Sequence, residues 1–269
     1  MAAALFAAAS CGQKKQAPKY LVLYYSQTNN TKAIADAIAE RLGADKEEVV
    51  SLTPYDGDFQ KTIERCMQER ETGVLPEVEP LKANLADYDV IFLGYPIWFG
   101  TYAPPMAAML KSIDLTGKKV VPFCSFGSGG LDSSIRDLKA AQPEAEILPG
   151  YGVRAARISA VEKEIDNFLK AGGFMEGDYF QPEEFGEQHP ASEEEAAIFD
   201  AAVNGYPMLN AKAATVASRA IENGTEYLFT ATPQPREGEG DDKFPPMGDV
   251  KVYVTVEDGQ APEFTQVLR

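Results

Sequence analysis

Six consecutive polar residues, Ser26, Gln27, Thr28, Asn29, Asn30 and Thr31, follow the apolar run Tyr20–Tyr25 and lead into a helical pattern. They supply three hydroxyls and three carboxamides and no charge. Orphan backbone N–H groups at a helix start, together with the helix dipole, favour an anion. Hydroxyl donors add hydrogen bonds without a fixed positive charge. A helix cap needs only one such residue, Asn30 or Thr31. Six in a row after a buried strand point to a phosphate loop.

Two further loops carry comparable signals. Pro96, Ile97, Trp98, Phe99 and Gly100 follow the apolar run Val90–Tyr95 and include the only tryptophan of the chain. Aromatic rings on a ligand-facing loop can stack on a flat ring, and Gly100 allows close backbone approach or a positive φ. Ser125, Phe126, Gly127, Ser128 and Gly129 end the run Lys119–Ser125, with Gly130 next. Their glycines let backbone amides approach a ligand. This loop nearly spells G-x-G-x-x-G, but Asp132 stands at the last glycine position and the loop follows the fourth strand, not the first, which excludes a dinucleotide fingerprint.

Other chemistries are excluded by residue type. The chain has one histidine, His189, and three cysteines, Cys11, Cys66 and Cys124, with no CxxC. Multi-histidine metal sites, zinc sites and a disulfide framework do not fit. No G-x-S-x-G elbow or Walker loop is present, so a hydrolase triad and a P-loop are set aside. No catalytic side chain and no metal ligand set is expected. The formal net charge is −16, which argues against nucleic acid, since phosphate backbones select basic patches.

The elements that must position these loops alternate in type. Strands are expected at Tyr20–Tyr25, Glu48–Leu52, Val90–Tyr95, Lys119–Ser125 and Ile147–Val153. Helices are expected at Thr31–Leu42, Phe59–Glu71, Tyr102–Ser112, Gly130–Ala141 and Ala160–Ala171. Ala33, Ile34, Ala37, Ile38 and Leu42 form a helical stripe. "DVIFLGYP" is continuously apolar, as in a strand covered on both faces. Such alternation implies a parallel sheet with right-handed crossovers, an open doubly wound α/β domain over residues 20–171. Ligands bind such sheets beyond the carboxyl ends of the strands, where strand order reverses. The three loops fall at that edge.

Residues 172–192 read as an acidic linker, and no Lys or Arg occurs between Lys170 and Lys212. Residues 193–269 read as a small α+β unit. A helix is expected near Glu193–Val203, with extended segments near Ala217–Thr232, Asp249–Glu257 and Glu263–Leu268. "PQPREGEGDDKFPP" reads as a polar hairpin loop between two of them. Residues 1–19 read as a leader and tether. Ala2–Ala9 is too short to span a bilayer, and Ala-Ala-Ser-Cys resembles the lipobox of bacterial lipoproteins, although leucine is missing three positions before the cysteine and a positive n-region is missing altogether. Lipidation at Cys11 and a periplasm-facing place at the cell envelope are expected, the alternative being an Ala-rich leader on a cytoplasmic protein.

A phosphate loop, a planar-ring loop and a glycine loop together describe a flavin mononucleotide site. Residues 20–170 resemble the flavodoxin family. The first loop looks like its phosphate signature, with Asn29-Asn30 where Thr-Gly often stands. "GYPIWFGTYAPP" and "GKKVVPFCSFGSGGLDSSIRDL" are similar to a bacterial flavodoxin-like branch. The resemblance implies a five-stranded parallel sheet of order 2-1-3-4-5 and FMN as cofactor. It implies that Ser26–Thr31 hold the phosphate, that Pro96–Gly100 face the isoalloxazine ring, and that Ser125–Gly129 cover its other edge. It also implies electron transfer between redox partner proteins. The alternatives are an FMN-dependent NAD(P)H:quinone or nitro reductase with a small quinone-like acceptor, or an anchored binding module that no longer holds flavin. "RAIENGTEYLFTA" resembles the central strand of cystatin-like folds without the inhibitory Gln-Val-Val-Ala-Gly turn, Ala220 standing where the glutamine would be.

Overall fold

A computed structural model describes residues 17–55, 57–206, 208–234 and 248–268. Cys11 and most of the 233–246 loop lie outside the described residues. The first unit comprises β1 (Tyr20–Tyr24), α1 (Asn30–Leu42), β2 (Asp45–Glu48), α2 (Phe59–Thr72), β3 (Val90–Trp98), β4 (Thr101–Tyr102), α3 (Pro104–Ser112), β5 (Lys119–Phe126), α4 (Leu131–Ala141), β6 (Glu146–Ile147), β7 (Tyr151–Arg154) and α5 (Val161–Ala171). The second comprises β8 (His189–Pro190), α6 (Glu193–Val203), β9 (Ala211–Ile221), β10 (Gly224–Pro233), β11 (Val250–Glu257) and β12 (Glu263–Leu268).

The parallel strands run β2-β1-β3-β5-β6, with β7 beside the far end of β5 and β4 a short hairpin partner of β3. Counted as parallel strands, this is the order 2-1-3-4-5, and strand order reverses between β1 and β3. Strand side chains alternate between faces. Leu21, Leu23, Ile91, Leu93 and Tyr95 pack on one face with Met106, Met109 and Leu110 of α3 and Leu138 of α4. Val22, Tyr24, Val90 and Phe92 pack on the other with Ile34, Ala37 and Ile38 of α1 and Ile165 and Leu169 of α5. Both faces are covered, hence the unbroken apolar run of β3.

Three expectations need correction. The second strand pairs through Asp45–Glu48, not Glu48–Leu52. It is the sheet's edge strand, where polar residues face solvent, so hydrophobicity points past it. The apolar run after it turns to a different partner, Leu52 N–H donating to Glu77 O and Ser51 bridging Val78. The expected strand Ile147–Val153 is two short strands, split at Pro149-Gly150, because proline brings no N–H to the ladder. The expected segment Ala217–Thr232 is a hairpin: β9 and β10 pair antiparallel around Glu222-Asn223. Its two arms are both β-rich, and the Asn-Gly turn between them marks the reversal.

In the second unit α6 starts with a full capping box between Ser192 and Glu195. It packs Phe199 on one face of the sheet β12-β11-β10-β9-β8, against Val216, Phe229, Val252, Val254 and Phe264.

Candidate functional site

The three segments meet at the carboxyl edge of β1, β3 and β5, where Pro96–Trp98 and Ser125–Phe126 are the last residues of β3 and β5 and not loop as expected. Thr31, at the start of α1, and Ser125, at the end of β5, are both buried, with their hydroxyls 2.8 Å apart. That mutual bond uses one of two hydroxyl protons. Asn29, the N-cap residue just before α1, sits in the left-handed region at φ 63° and its side chain makes no capping hydrogen bond. The Ser26 hydroxyl accepts the Lys32 N–H at 3.2 Å and keeps its own proton for a further acceptor. Asn30 Nδ2 donates to Thr28 Oγ1 at 3.1 Å. A helix start without an Asn29 cap, ringed by hydroxyl donors, suits an anionic group.

Gln27 has a different role from its neighbours. Its amide oxygen accepts from the Tyr25 hydroxyl at 2.7 Å and its NH₂ donates to Tyr55 O at 3.2 Å. It ties the loop to an aromatic group in which Trp98 stands edge-on to Tyr25 (6.1 Å, 87°) and to Tyr55 (5.0 Å, 82°). Helix α2 braces this group. The Tyr55 hydroxyl donates to Glu69 at 2.6 Å, and Arg65 lies 3.9 Å over the Tyr55 ring. Burial, then the contact with Glu69, raises the Tyr55 phenol; burial also raises that of Tyr25. Both stay neutral donors at physiological pH.

Loops two and three touch. Pro96, Ile97 and Trp98 are half-buried, whereas Phe99 and Gly100 are exposed. Phe99 and Gly100 both have positive φ, 52° and 82°. Ser133 Oγ donates to Gly100 O at 2.5 Å. A Cβ at Gly130 would stand 2.7 Å from Ile97 Cγ2, and Gly130 itself has φ 118°, so only glycine fits there. Phe126, the last residue of β5, is buried and packs in the core cluster that also holds Tyr95 and takes Ile97 and Trp98 at its margin. Gly127, Ser128 and Gly129 are placed at the loop's outer side, where β12 of the second unit meets them. Val267 N–H donates to Ser128 O at 2.6 Å.

Sequence reasoning missed Tyr25 as a site wall, Tyr55, Ser133 and the whole contribution of β12. Tyr55 sits in an irregular segment before α2 with no pattern to announce it, and β12 is brought here by tertiary packing alone. Among the described residues no group of three or more His, Cys, Asp and Glu side chains could hold a metal ion, and no helix is long and apolar enough to cross a membrane.

An open parallel sheet with helices on both faces, its strand order reversing between β1 and β3, defines a doubly wound α/β protein. The family model described as Flavodoxin matches residues 19–170, more than half of the chain, and the chain belongs to the flavodoxin family. Among solved structures it is similar to a protein described as a flavoprotein from Bacteroides eggerthii, at 28% identity and a TM-score of 0.51, covering 57% of this chain and 97% of the other. It is also similar to one from Bacteroides uniformis, at 26% identity and a TM-score of 0.50, covering 56% and 99%.

Proposed function

We propose that the chain binds FMN at the three-loop edge and carries electrons between redox partners. The observation that carries this reading is the convergence of Ser26–Thr31, Pro96–Gly100 and Ser125–Gly130 on one edge, locked by the Thr31–Ser125 hydroxyl pair. The residues fit the group: Ser26, Thr28, Asn30 and the N–H groups of α1 would hold the phosphate. Trp98, Ile97 and Phe99 would take the ring against an apolar surface, and the glycine-rich third loop would approach its edge with backbone.

When bound, FMN supplies the electron-transfer chemistry. The protein supplies place, access and field. None of the sixteen residues in Ser26–Thr31, Pro96–Gly100 and Ser125–Gly129 is titratable near neutrality, and the nearby phenols of Tyr25 and Tyr55 are held protonated. No side chain there moves a proton, which favours electron carriage over acid–base catalysis. The net charge of −16 opposes further negative charge in the crevice, so a low reduction potential is expected.

One observation favours the second reading, a flavin-dependent NAD(P)H:quinone or nitro reductase. Phe99 is 49% exposed beside Trp98, an aromatic face on which a small planar acceptor could stack. Steady NAD(P)H oxidation with quinone would place that reading first. The decisive measurement for the cofactor is the visible spectrum of purified protein after adding FMN and removing what is unbound. A retained flavin spectrum is expected; colourless protein overturns the reading and leaves a binding module.

Cys11 carries a lipid in this proposal and tethers the chain to the cell envelope, on the support of the Ala-rich run and Ala-Ala-Ser-Cys. Incorporation of an alkynyl fatty acid that is lost in Cys11→Ala is expected, and equal labelling of both would refute it. For the second unit the cystatin resemblance is supported by one helix packed on an antiparallel sheet. No inhibitory activity is proposed, because the inhibitory turn is missing.

A further inference from the structure

The second unit reaches the proposed flavin site through its last strand. β12 is the edge of its sheet, so its outward N–H and C=O groups are free of the ladder. They are used on the first unit. Val267 N–H donates to Ser128 O at 2.6 Å. Phe264 O accepts from Arg154 Nη1 at 2.8 Å, and Arg154 Nε donates to Gly127 O at 2.9 Å. Consecutive carbonyls of the third loop, those of Gly127 and Ser128, are thus both taken by Arg154 and Val267.

Local features make this docking possible. The register of β11 and β12 shifts between Tyr253 and Val254, leaving Thr265 as an extra residue. Such a bulge re-aims the strand. Phe264 and Val267, three residues apart, thereby both bury their side chains in the second unit's core while Phe264 O and Val267 N–H both face the first unit. A Cβ at Gly129 would stand 2.6 Å from Val267 O, and Gly129 has φ 154°, so its glycine is what lets the strand lie against the loop. Arg154 lies 4.0 Å over the Phe264 ring and 5.2 Å over Tyr206. A second bolt stands beside it: Arg157, 8% exposed, pairs with Glu263 of β12 at 2.7 Å and with Glu164 of α5 at 3.0 Å.

We infer that the second unit sets the third loop of the flavin site, with Arg154 as the positioning residue and β12 as the strut. The loop lacks bulky side chains that could hold its own shape, and the core anchors it only at its two ends, at Phe126 and Leu131, leaving Gly127–Gly129 between them. Its outer half takes its position from Val267 and Arg154. The C-terminal unit is therefore part of the machinery that closes the ring edge and tunes the electron-transfer potential. The inference rests on the FMN reading above.

The test uses the full chain. Arg154→Met removes both donors and keeps most of the side chain's bulk. Val267→Pro removes one outward N–H from an edge strand, where proline spares the ladder. FMN dissociation constant, reduction potential and amide hydrogen exchange are measured for wild type and both variants, with circular dichroism to confirm folding. In wild type, slow exchange at the Val267 amide is expected despite its edge position. In each folded variant, exchange over residues 125–130 should rise at least fivefold, the dissociation constant tenfold, and the potential should shift. Arg154→Lys should restore part of the affinity. Unchanged affinity and potential in a folded variant, or an unchanged loop exchange, overturns the inference. Wild-type protein that retains no FMN overturns the cofactor reading, and this inference with it, before any variant is compared.

Discussion

The hydroxyls of Thr31 and Ser125 lie 2.8 Å apart in the buried edge of the sheet, although 94 residues separate them. This pair joins the phosphate loop to the third loop. Thr31→Val keeps the shape and leaves the Ser125 hydroxyl unpaired, which costs about 1–3 kcal/mol of stability. FMN affinity should fall with it. Because the two groups share one bond, Thr31→Val and Ser125→Ala should combine less than additively. Denaturant melts of the double-mutant cycle check this; strict additivity would show that the pair contributes nothing.

Trp98 forms the aromatic wall with Tyr25 and Tyr55. Trp98→Ala should weaken FMN binding by about 1–3 kcal/mol through lost stacking and burial, and Trp98→Phe should lose less. Quenching of flavin fluorescence on titration gives both constants. Equal affinity in wild type and Trp98→Ala would remove this residue from the site.

Asn29 holds φ 63° at the helix start. Asn29→Ala should destabilise by about 1 kcal/mol, since a Cβ-bearing residue without a local polar partner resists the left-handed region. Asn29→Gly should be neutral or slightly stabilising. Thermal melts of the three proteins order them; Asn29→Ala melting at or above the Gly variant contradicts the backbone account.

Gly94 sits mid-strand in β3, where an added Cβ would lie 2.1 Å from Cζ of the fully buried Phe123. Gly94→Ala should cost about 1–3 kcal/mol or more by overpacking. Adding Phe123→Leu should recover part of the loss, measured by urea unfolding. A Gly94→Ala protein as stable as wild type would mean that the two strands can shift apart there.

Burial pushes the Cys66 thiol up to about 11, with Glu69 adding to it, and burial pushes Cys124 up as well. Thiolate is the reactive form, so peptides containing either residue should alkylate slowly in native protein at pH 8. Cys66 retains its proton in the fold through a range where the unfolded chain loses it from about 9. Its contribution to stability is complete below pH 9 and lost as pH rises to 11. Mass spectrometry of pulse-alkylated protein follows both thiols; rapid native labelling of Cys66 at pH 8 would contradict its burial.

The alternation of apolar runs and helical stripes determined the doubly wound sheet, because strands covered on both faces must be apolar throughout. The same alternation placed Ser26–Thr31, Pro96–Gly100 and Ser125–Gly129 at one edge. Which of Asn29 and Asn30 takes the left-handed region was not legible, since both carboxamide side chains tolerate it; the structure puts it at Asn29. Edge strand Asp45–Glu48 was not legible, because a solvent-facing strand has no need of apolar residues. The side-chain bonds of Gln27 to Tyr25 and Tyr55 and the core packing of Phe126 have no local signal either, since both depend on partners from other elements or turns. Contacts between residues far apart in the chain carry no local pattern. The Thr31–Ser125 bond, the edge-on ring of Tyr55 and the seating of Val267 on Ser128 were therefore decided by tertiary structure, which alone sets the distance between side chains on different elements.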